Sequence, residues 1–122
     1  MKVLFVYGHD WGGTFVLTQA EALQHAGAQV AIICTGEGPF AAACRERGLQ
    51  VHISPFQGSS MRDVPRILRS MADIVRYIRG FRPDVLHYHL IKAIIVGRIC
   101  GWLTRVPLRF SQLGGPLTLE VA

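Results

Sequence analysis

The chain opens on MKVLFVY, and after Lys2 nothing polar interrupts residues 2 to 7. A strand with one wet face alternates apolar and polar side chains. A strand without that alternation is buried on both faces and needs a layer packed on each side. AQVAIIC, residues 28 to 34, has the same character. Between them residues 14 to 26 read as a helix, with Thr14 near its start and Gly27 just past its end.

The same alternation continues down the chain. Pro39 opens a short helix that runs to about Arg47, where Gly48 stops it. LQVHIS is a third, weaker strand, and Ser60 is placed to cap the next helix. Over 61–80, Val64, Ile67, Leu68, Met71, Ile74, Val75 and Ile78 recur at helical spacing. PDVLHYH is a fourth strand, 92–103 a fourth helix and PLRFSQ a fifth strand. Strand–helix alternation with short connections implies parallel strands and right-handed crossovers. The expected fold is therefore α/β, a doubly wound parallel sheet in a single domain over residues 1–122.

A chain of 122 residues with 50% hydrophobic residues is long and apolar enough to build one core and is not a disordered chain. Its net charge of +5 favours acidic partners such as nucleotide phosphates or anionic lipid heads. Nucleic acid is not expected, since no helix-turn-helix, zinc finger or paired aromatic RNA motif is present. Cys34, Cys44 and Cys100 are odd in number and far apart. They read as reduced thiols of a cytoplasmic protein. No stretch of 18 apolar residues exists to span a membrane, and the opening run is too short for a signal peptide.

In an open α/β sheet the ligand crevice lies at the carboxyl ends of the strands. Three segments rich in polar residues or glycine fall there: GHDWGGT, HYHLIK and SQLGGP. The first is neither a dinucleotide fingerprint nor a P-loop. Its spacing is G-x-x-x-G-G, strand two ends in Cys34 and Thr35 without a ribose acid, and the segment has no lysine between Gly13 and Thr14. Two readings remain for Gly12 and Gly13: a tight turn, or backbone held close to a ligand. His87 and His89 share one face of the fourth strand, His89 nearer the crevice and His87 deeper, where a core role suits it. A metal is not expected, because no ligand spacing links the pair to His9, Asp10, His52 or Cys34. Asp10 either orients a hydroxyl or shapes its turn, and Trp11 either stacks on a sugar ring or covers a core edge. Lys92 meets a phosphate or is solvated, and Arg109 and Gln112 are open in the same way.

The order of these segments resembles the N-terminal, Rossmann-like domain of GT-B glycosyltransferases, in particular the retaining family 4 enzymes. The likeness is carried by MKVLFV before a Gly-Gly turn, by LQHAGAQVAIIC, by RERGLQVHIS, by RPDVLHYHLIKA and by GGPLTLE, the last of which includes Glu120. It covers nearly the whole chain. The resemblance implies that Gly12 and Gly13 approach the donor or acceptor and that His89 lies against the transferring sugar as the catalytic residue; Asp10 and Lys92 stand beside them as substrate-binding candidates from their place in the chain alone. It implies a nucleotide-sugar as co-substrate with no further cofactor, and a glycan or lipid-linked acceptor. The family's second domain, which holds the donor through an E-x7-E signature, has no counterpart here: Glu21, Glu37, Glu46 and Glu120 include no such pair. The expectation is an acceptor-side half that works with a C-terminal donor domain or a separate donor subunit and is inactive alone. Arg62, Arg66, Arg69, Arg76 and Arg79 lie largely on the polar side of helix 61–80. They form either an ordinary solvated face or a peripheral contact with the inner face of a membrane. The rival readings are a non-enzymatic flavodoxin-like module binding a nucleotide or a protein, and a small dehydrogenase-like domain.

Overall fold

The wholly apolar runs become the centre of one sheet. Strand β1 (Lys2–Tyr7) is buried over its last five residues, and so is β2 (Gln29–Cys34). Beside them lie β3 (Gln50–Ile53), β4 (Val85–His89) and β5 (Leu108–Gln112), all parallel, and β6 (Thr118–Glu120), which runs antiparallel to β5. The strand order is β3-β2-β1-β4-β5-β6. The structure is a computed structural model and describes residues 1–58, 60–112 and 118–120.

Successive side chains of a strand point to opposite faces, and the two faces carry separate cores. Val3, Phe5 and Tyr7 pack with Val16, Leu17 and Ala20 of α1 (Thr14–His25) and with Phe40, Ala41 and Cys44 of α2 (Pro39–Glu46). Leu4 and Val6 pack with Ile74 and Ile78 of α3 (Val64–Phe81) and with Ala93, Val96 and Cys100 of α4 (Ile91–Thr104). The doubly wound parallel sheet expected from the sequence is thus the observed one. Each expected element is present within a residue or two of its assigned ends. Helix 61–80 begins with a 3-10 turn, Met61–Asp63, capped as expected: the Asp63 carboxylate accepts from the Ser60 N–H and from its hydroxyl, both at 3.2 Å. The sequence reading did not assign β6. It spans three residues, pairs Thr118–Glu120 with Ser111–Arg109, and closes the β5 edge of the sheet.

Two glycines set how closely α4 lies on the sheet. A Cβ at Gly97 would stand 2.6 Å from a ring carbon of fully buried Tyr88, and one at Gly101 would stand 2.8 Å from Leu86. By contrast, a Cβ at Gly80 of α3 would meet nothing within 4 Å. The same substitution should therefore have opposite signs at the two helices. Gly80→Ala is expected to stabilise by about 0.5–1 kcal/mol through helix propensity. Gly97→Ala is expected to destabilise by about 1–3 kcal/mol despite the same propensity gain, because Tyr88 has no room to yield. Denaturant midpoints at unchanged slope measure both, and a stabilising Gly97→Ala would contradict the close helix–sheet contact.

Candidate functional site

The sheet order reverses between β1 and β4. The chain leaves β1 for α1 on one face and leaves β4 for α4 on the other, so a crevice opens between their carboxyl ends. A cavity of about 520 Å3 lies there, lined by Tyr7, Gly13, Thr14, Phe15, Val16, His89, Leu90 and Gln112. The glycine turn, the H-x-H segment and the end of β5 are far apart in sequence and meet in this one place.

His89 is the polar centre of the cavity. Its residue is 5% exposed, and its Nε2 has no hydrogen-bond partner among the described residues. The ring stacks on Phe5 at 6.2 Å and meets the edge of Phe15 at the same separation. Burial pushes its pKa down to about 3, and the His87 ring 4.2 Å away adds to the shift. His87 is also buried, and burial pushes its pKa down to about 4 against a hydrogen bond with the Gln112 side chain that raises it. Both imidazoles are therefore neutral near pH 7, and each has one donor and one acceptor nitrogen.

The turn behind His89 is held in a shape that leucine rarely adopts. Leu90 has φ 74° and ψ 155° and is fixed from both sides. Its N–H donates to the Gln112 carbonyl at 3.1 Å, and its carbonyl accepts from Ile94 N–H at 2.8 Å. Such a backbone costs on the order of 1–3 kcal/mol and persists because β5 and α4 over-determine it. It ends β4 abruptly and leaves the His89 ring facing the crevice.

Of the residues expected at the site, the structure brings His89 and Gly13 together and puts the others nearby. Gly12 and Gly13 both have positive φ, 67° and 77°, as a tight turn demands. A Cβ at Gly13 would lie 2.5 Å from the ring of fully buried Phe40, so packing against α2 by itself requires glycine there, while the Gly13 backbone also lines the cavity. Asp10 turns toward the loop between β2 and α2. Its carbonyl accepts from Phe40 N–H at 3.2 Å, and its carboxylate lies against Gly36. The Lys92 ammonium donates to the Gly58 carbonyl at 2.7 Å, so it ties a loop down and does not project into the cavity. Gln57 completes that tie, donating to Thr35 Oγ1 at 2.8 Å and to the Gly8 carbonyl at 3.4 Å. Arg109 lies on the opposite sheet face, against Gly101 of α4. Trp11 is 61% exposed and stacks on His9 at 4.9 Å, near the cavity rim through the Tyr7 hydroxyl, which donates to the Trp11 carbonyl at 3.1 Å. Residues 113–117 of SQLGGP and GGPLTLE lie outside the described residues, as does the Glu120 side chain.

Sequence reasoning passed over Tyr7 and Phe15. Tyr7 ends an apolar strand and reads as core. Phe15 reads as one more apolar residue of α1, yet it is 57% exposed at the cavity mouth. Among the described residues, no three of His, Cys, Asp and Glu are grouped to hold a metal ion.

In an open α/β sheet the switch point at the carboxyl edge is where ligands bind, and here His89 lies at that place. The family model of the glycosyl transferase 4-like domain matches residues 12–117, and the chain belongs to that family. The fold is shared with solved structures at low identity. Acinetobacter baumannii MurG is 19% identical with a TM-score of 0.74, over 92% of this chain and 34% of that one. The glycosyltransferase VinC in complex with dTDP is 17% identical with a TM-score of 0.66, over 94% and 35%. The UDP-GlcNAc 2-epimerase of Neisseria meningitidis, bound to UDP-GlcNAc, is 14% identical with a TM-score of 0.66, over 93% and 31%. The chain thus spans about a third of the length of these structures. No curated protein sequence matches it significantly. The resemblance to a GT-B N-terminal domain is borne out by the family match and the shared fold.

The neutral histidine pair has a consequence for stability. Unfolded histidine binds a proton below about pH 6.5, while folded His87 and His89 do so only near pH 4 and pH 3. Between these values the unfolded state carries more protons, so stability rises with pH there and is lost as pH falls. The thermal midpoint is expected to be level above pH 7 and to drop from about pH 6.5 toward pH 4. Histidine ring NMR signals of His87 and His89 should not titrate above about pH 5. A His89 titration near its ordinary value would show a solvated ring and contradict the buried cavity.

Proposed function

We propose that this chain is the acceptor-side half of a nucleotide-sugar-dependent, retaining glycosyltransferase that transfers a sugar to a glycan or lipid-linked acceptor. One observation carries the reading: a nine-tenths-buried imidazole with an unpartnered nitrogen faces a cavity at the switch point of a glycosyl transferase 4-like domain. An orphaned buried nitrogen is unfavourable unless a ligand or a water supplies its partner, and of the two unpartnered Nε2 atoms among the described residues, those of His87 and His89, His89 is the one that lines the cavity. A sugar hydroxyl is a fitting one, since it both donates and accepts. The neutral His89 ring holds such a hydroxyl without placing a cation beside the developing positive charge of the transferring sugar. Tyr7, Phe15 and Val16 wall the same space with apolar surface, which suits a site that works by positioning and by desolvation once it is closed.

The donor is assigned to a partner domain or subunit, which closes over this crevice and presents the nucleotide-sugar. The complexes of VinC with dTDP and of the epimerase with UDP-GlcNAc support nucleotide-linked sugars as the donor class. Retention of configuration is part of the proposal through the family resemblance. The three cysteines are buried and unpaired, which supports a reducing, cytoplasmic setting.

Joined with or complemented by its donor half, the chain should turn over a sugar-nucleotide, and alone it should not. In that reconstituted enzyme His89→Ala is expected to lower kcat by about tenfold to a thousandfold while KM changes less, the scale of one positioned polar group. His87→Ala should lower the thermal midpoint and leave kcat nearly unchanged once folded. Steady-state kinetics and melting of both variants decide the matter. Loss of activity in folded His87→Ala beside a fully active His89→Ala would reverse the assignment. Sustained transfer by the chain alone would refute the half-enzyme reading.

A further inference from the structure

Exposed arginines of this chain find carboxylates, and one buried arginine does not. Arg45 pairs with Glu37, Arg47 with Glu21 and Arg66 with Asp63, each with an exposed guanidinium. Arg109 of β5 is 7% exposed. Among the described residues no carboxylate pairs with it, and its Nε has no hydrogen-bond partner. Its stem runs against α4 at Gly101, where a Cβ would stand 3.0 Å from the Arg109 Cδ. The missing side chain at Gly101 makes room for the stem, and the helix backbone then limits where it can move. A cation taken out of water without a counter-charge is costly, so this arrangement calls for an anion.

Arg109 lines a cavity of about 620 Å3 at the last turn of α4, and Trp102, Leu103, Arg105, Val106 and Pro107 line it too. The turn that follows α4 holds Arg105 in the left-handed region, with φ 56° and ψ 42°. The Arg105 N–H donates to the Trp102 carbonyl at 3.3 Å, and the Val106 N–H donates to the Gly101 carbonyl at 3.2 Å. Trp102 and Leu103 are 67% and 51% exposed, so an apolar wall stands open beside the two guanidinium groups. Residues 91–109 contain neither Asp nor Glu. The cavity lies at the amino end of β5, whereas Gln112, at the carboxyl end of the same strand, lines the cavity beside His89. The two sites are therefore at opposite edges of the sheet.

We propose that this second cavity binds a small soluble organophosphate with an apolar body. A guanidinium presents its N–H groups as a planar fork that matches two oxygens of one phosphate. Arg105 and Arg109 together balance the two negative charges of a phosphate monoester, and a carboxylate would answer only one of them. Trp102, Leu103, Val106 and Pro107 offer the ligand's body an apolar wall, with an indole on which a ring can stack. A few charged groups in a mostly apolar concavity of this volume are what a small-molecule site requires. The site lies apart from the crevice and does not depend on the transferase reading.

The test is titration of the chain with phenyl phosphate, inorganic phosphate and phenol, followed by calorimetry and, in a Trp11→Phe background, by Trp102 emission. Phenyl phosphate should bind saturably at one site, shift the Trp102 emission, and bind more weakly as salt is added. Inorganic phosphate and phenol each lack one half of the ligand and should bind at least about tenfold more weakly. Arg109→Gln should lower the affinity by about tenfold or more, and Arg105→Gln and Trp102→Ala by about threefold to fivefold each. Arg62→Gln, in the 3-10 turn before α3, should change it less than about twofold. Melting curves check that each variant is folded. Arg105 and Trp102 are exposed, so their variants carry the test should Arg109→Gln fail to fold. No saturable binding of phenyl phosphate, the result expected if the Glu120 carboxylate of β6 already neutralises Arg109, would overturn the proposal. So would equally tight binding of inorganic phosphate, or binding that survives Arg105→Gln with Trp102→Ala. None of these results bears on the kinetic test of His89.

Discussion

The pairing of β1 with β4 is the constraint on which the rest of the molecule depends. Val3 to Tyr7 lie in parallel register with Val85 to His89, although nearly eighty residues separate them in sequence. The chain reaches that register only after β2 and β3 have been laid down on the other side of β1 and α3 has carried it back across. This reversal sends α1 and α4 to opposite faces and leaves the space between the ends of the two strands uncovered. Both strands must be apolar on both faces to sit there, which is why the sequence at 2–7 contains so little polarity. The exception is the histidine pair. His87 and His89 occupy positions where a branched aliphatic residue would be ordinary for a central strand.

That exception links packing to chemistry. Burial removes the charge from both imidazoles, and at His89 the cation is disfavoured further by the His87 ring 4.2 Å away. The result is a hydrogen-bonding group of fixed position and no net charge in a cavity walled by Phe15, Tyr7 and Val16. The strained turn at Leu90, fastened to Gln112, holds the ring in place before any ligand arrives. Preorganisation of this kind is what a site needs if it acts by positioning rather than by supplying a nucleophile or a metal.

The fold was legible because its signals are local and redundant. Non-alternating apolar runs marked β1 and β2, and Pro39, Gly48 and Gly27 punctuated the helices where the structure ends them. The convergence of the Gly13 turn with His89 was legible too, since fold class alone predicts a crevice at the strand ends. What sequence could not supply was the direction of individual side chains. Lys92, at the start of α4, gives its ammonium to the Gly58 carbonyl, and Asp10 turns toward the loop between β2 and α2, where its main-chain carbonyl accepts from Phe40 N–H. Gly13 is excluded from bearing a side chain by Phe40, a contact that spans two helices and leaves no periodic trace. Strand β6 is only three residues long and comes after a glycine-rich stretch, so period-two alternation had too few residues to show. The arginines of helix 61–80 read as one face, but the packing of α4 and the loop at Gln57 divides them.

The central claim is that the cavity beside His89 is a carbohydrate subsite. The most direct measurement is an amide NMR titration of the chain with a panel of hexosides and disaccharide glycosides, some carrying a diphosphate. The account predicts saturable shifts at Gly13, Phe15 and His89, with smaller changes elsewhere in the sheet. Saturable shifts centred on a different surface, such as the groove between His52 and Tyr77, with His89 unmoved by every saccharide, would contradict it.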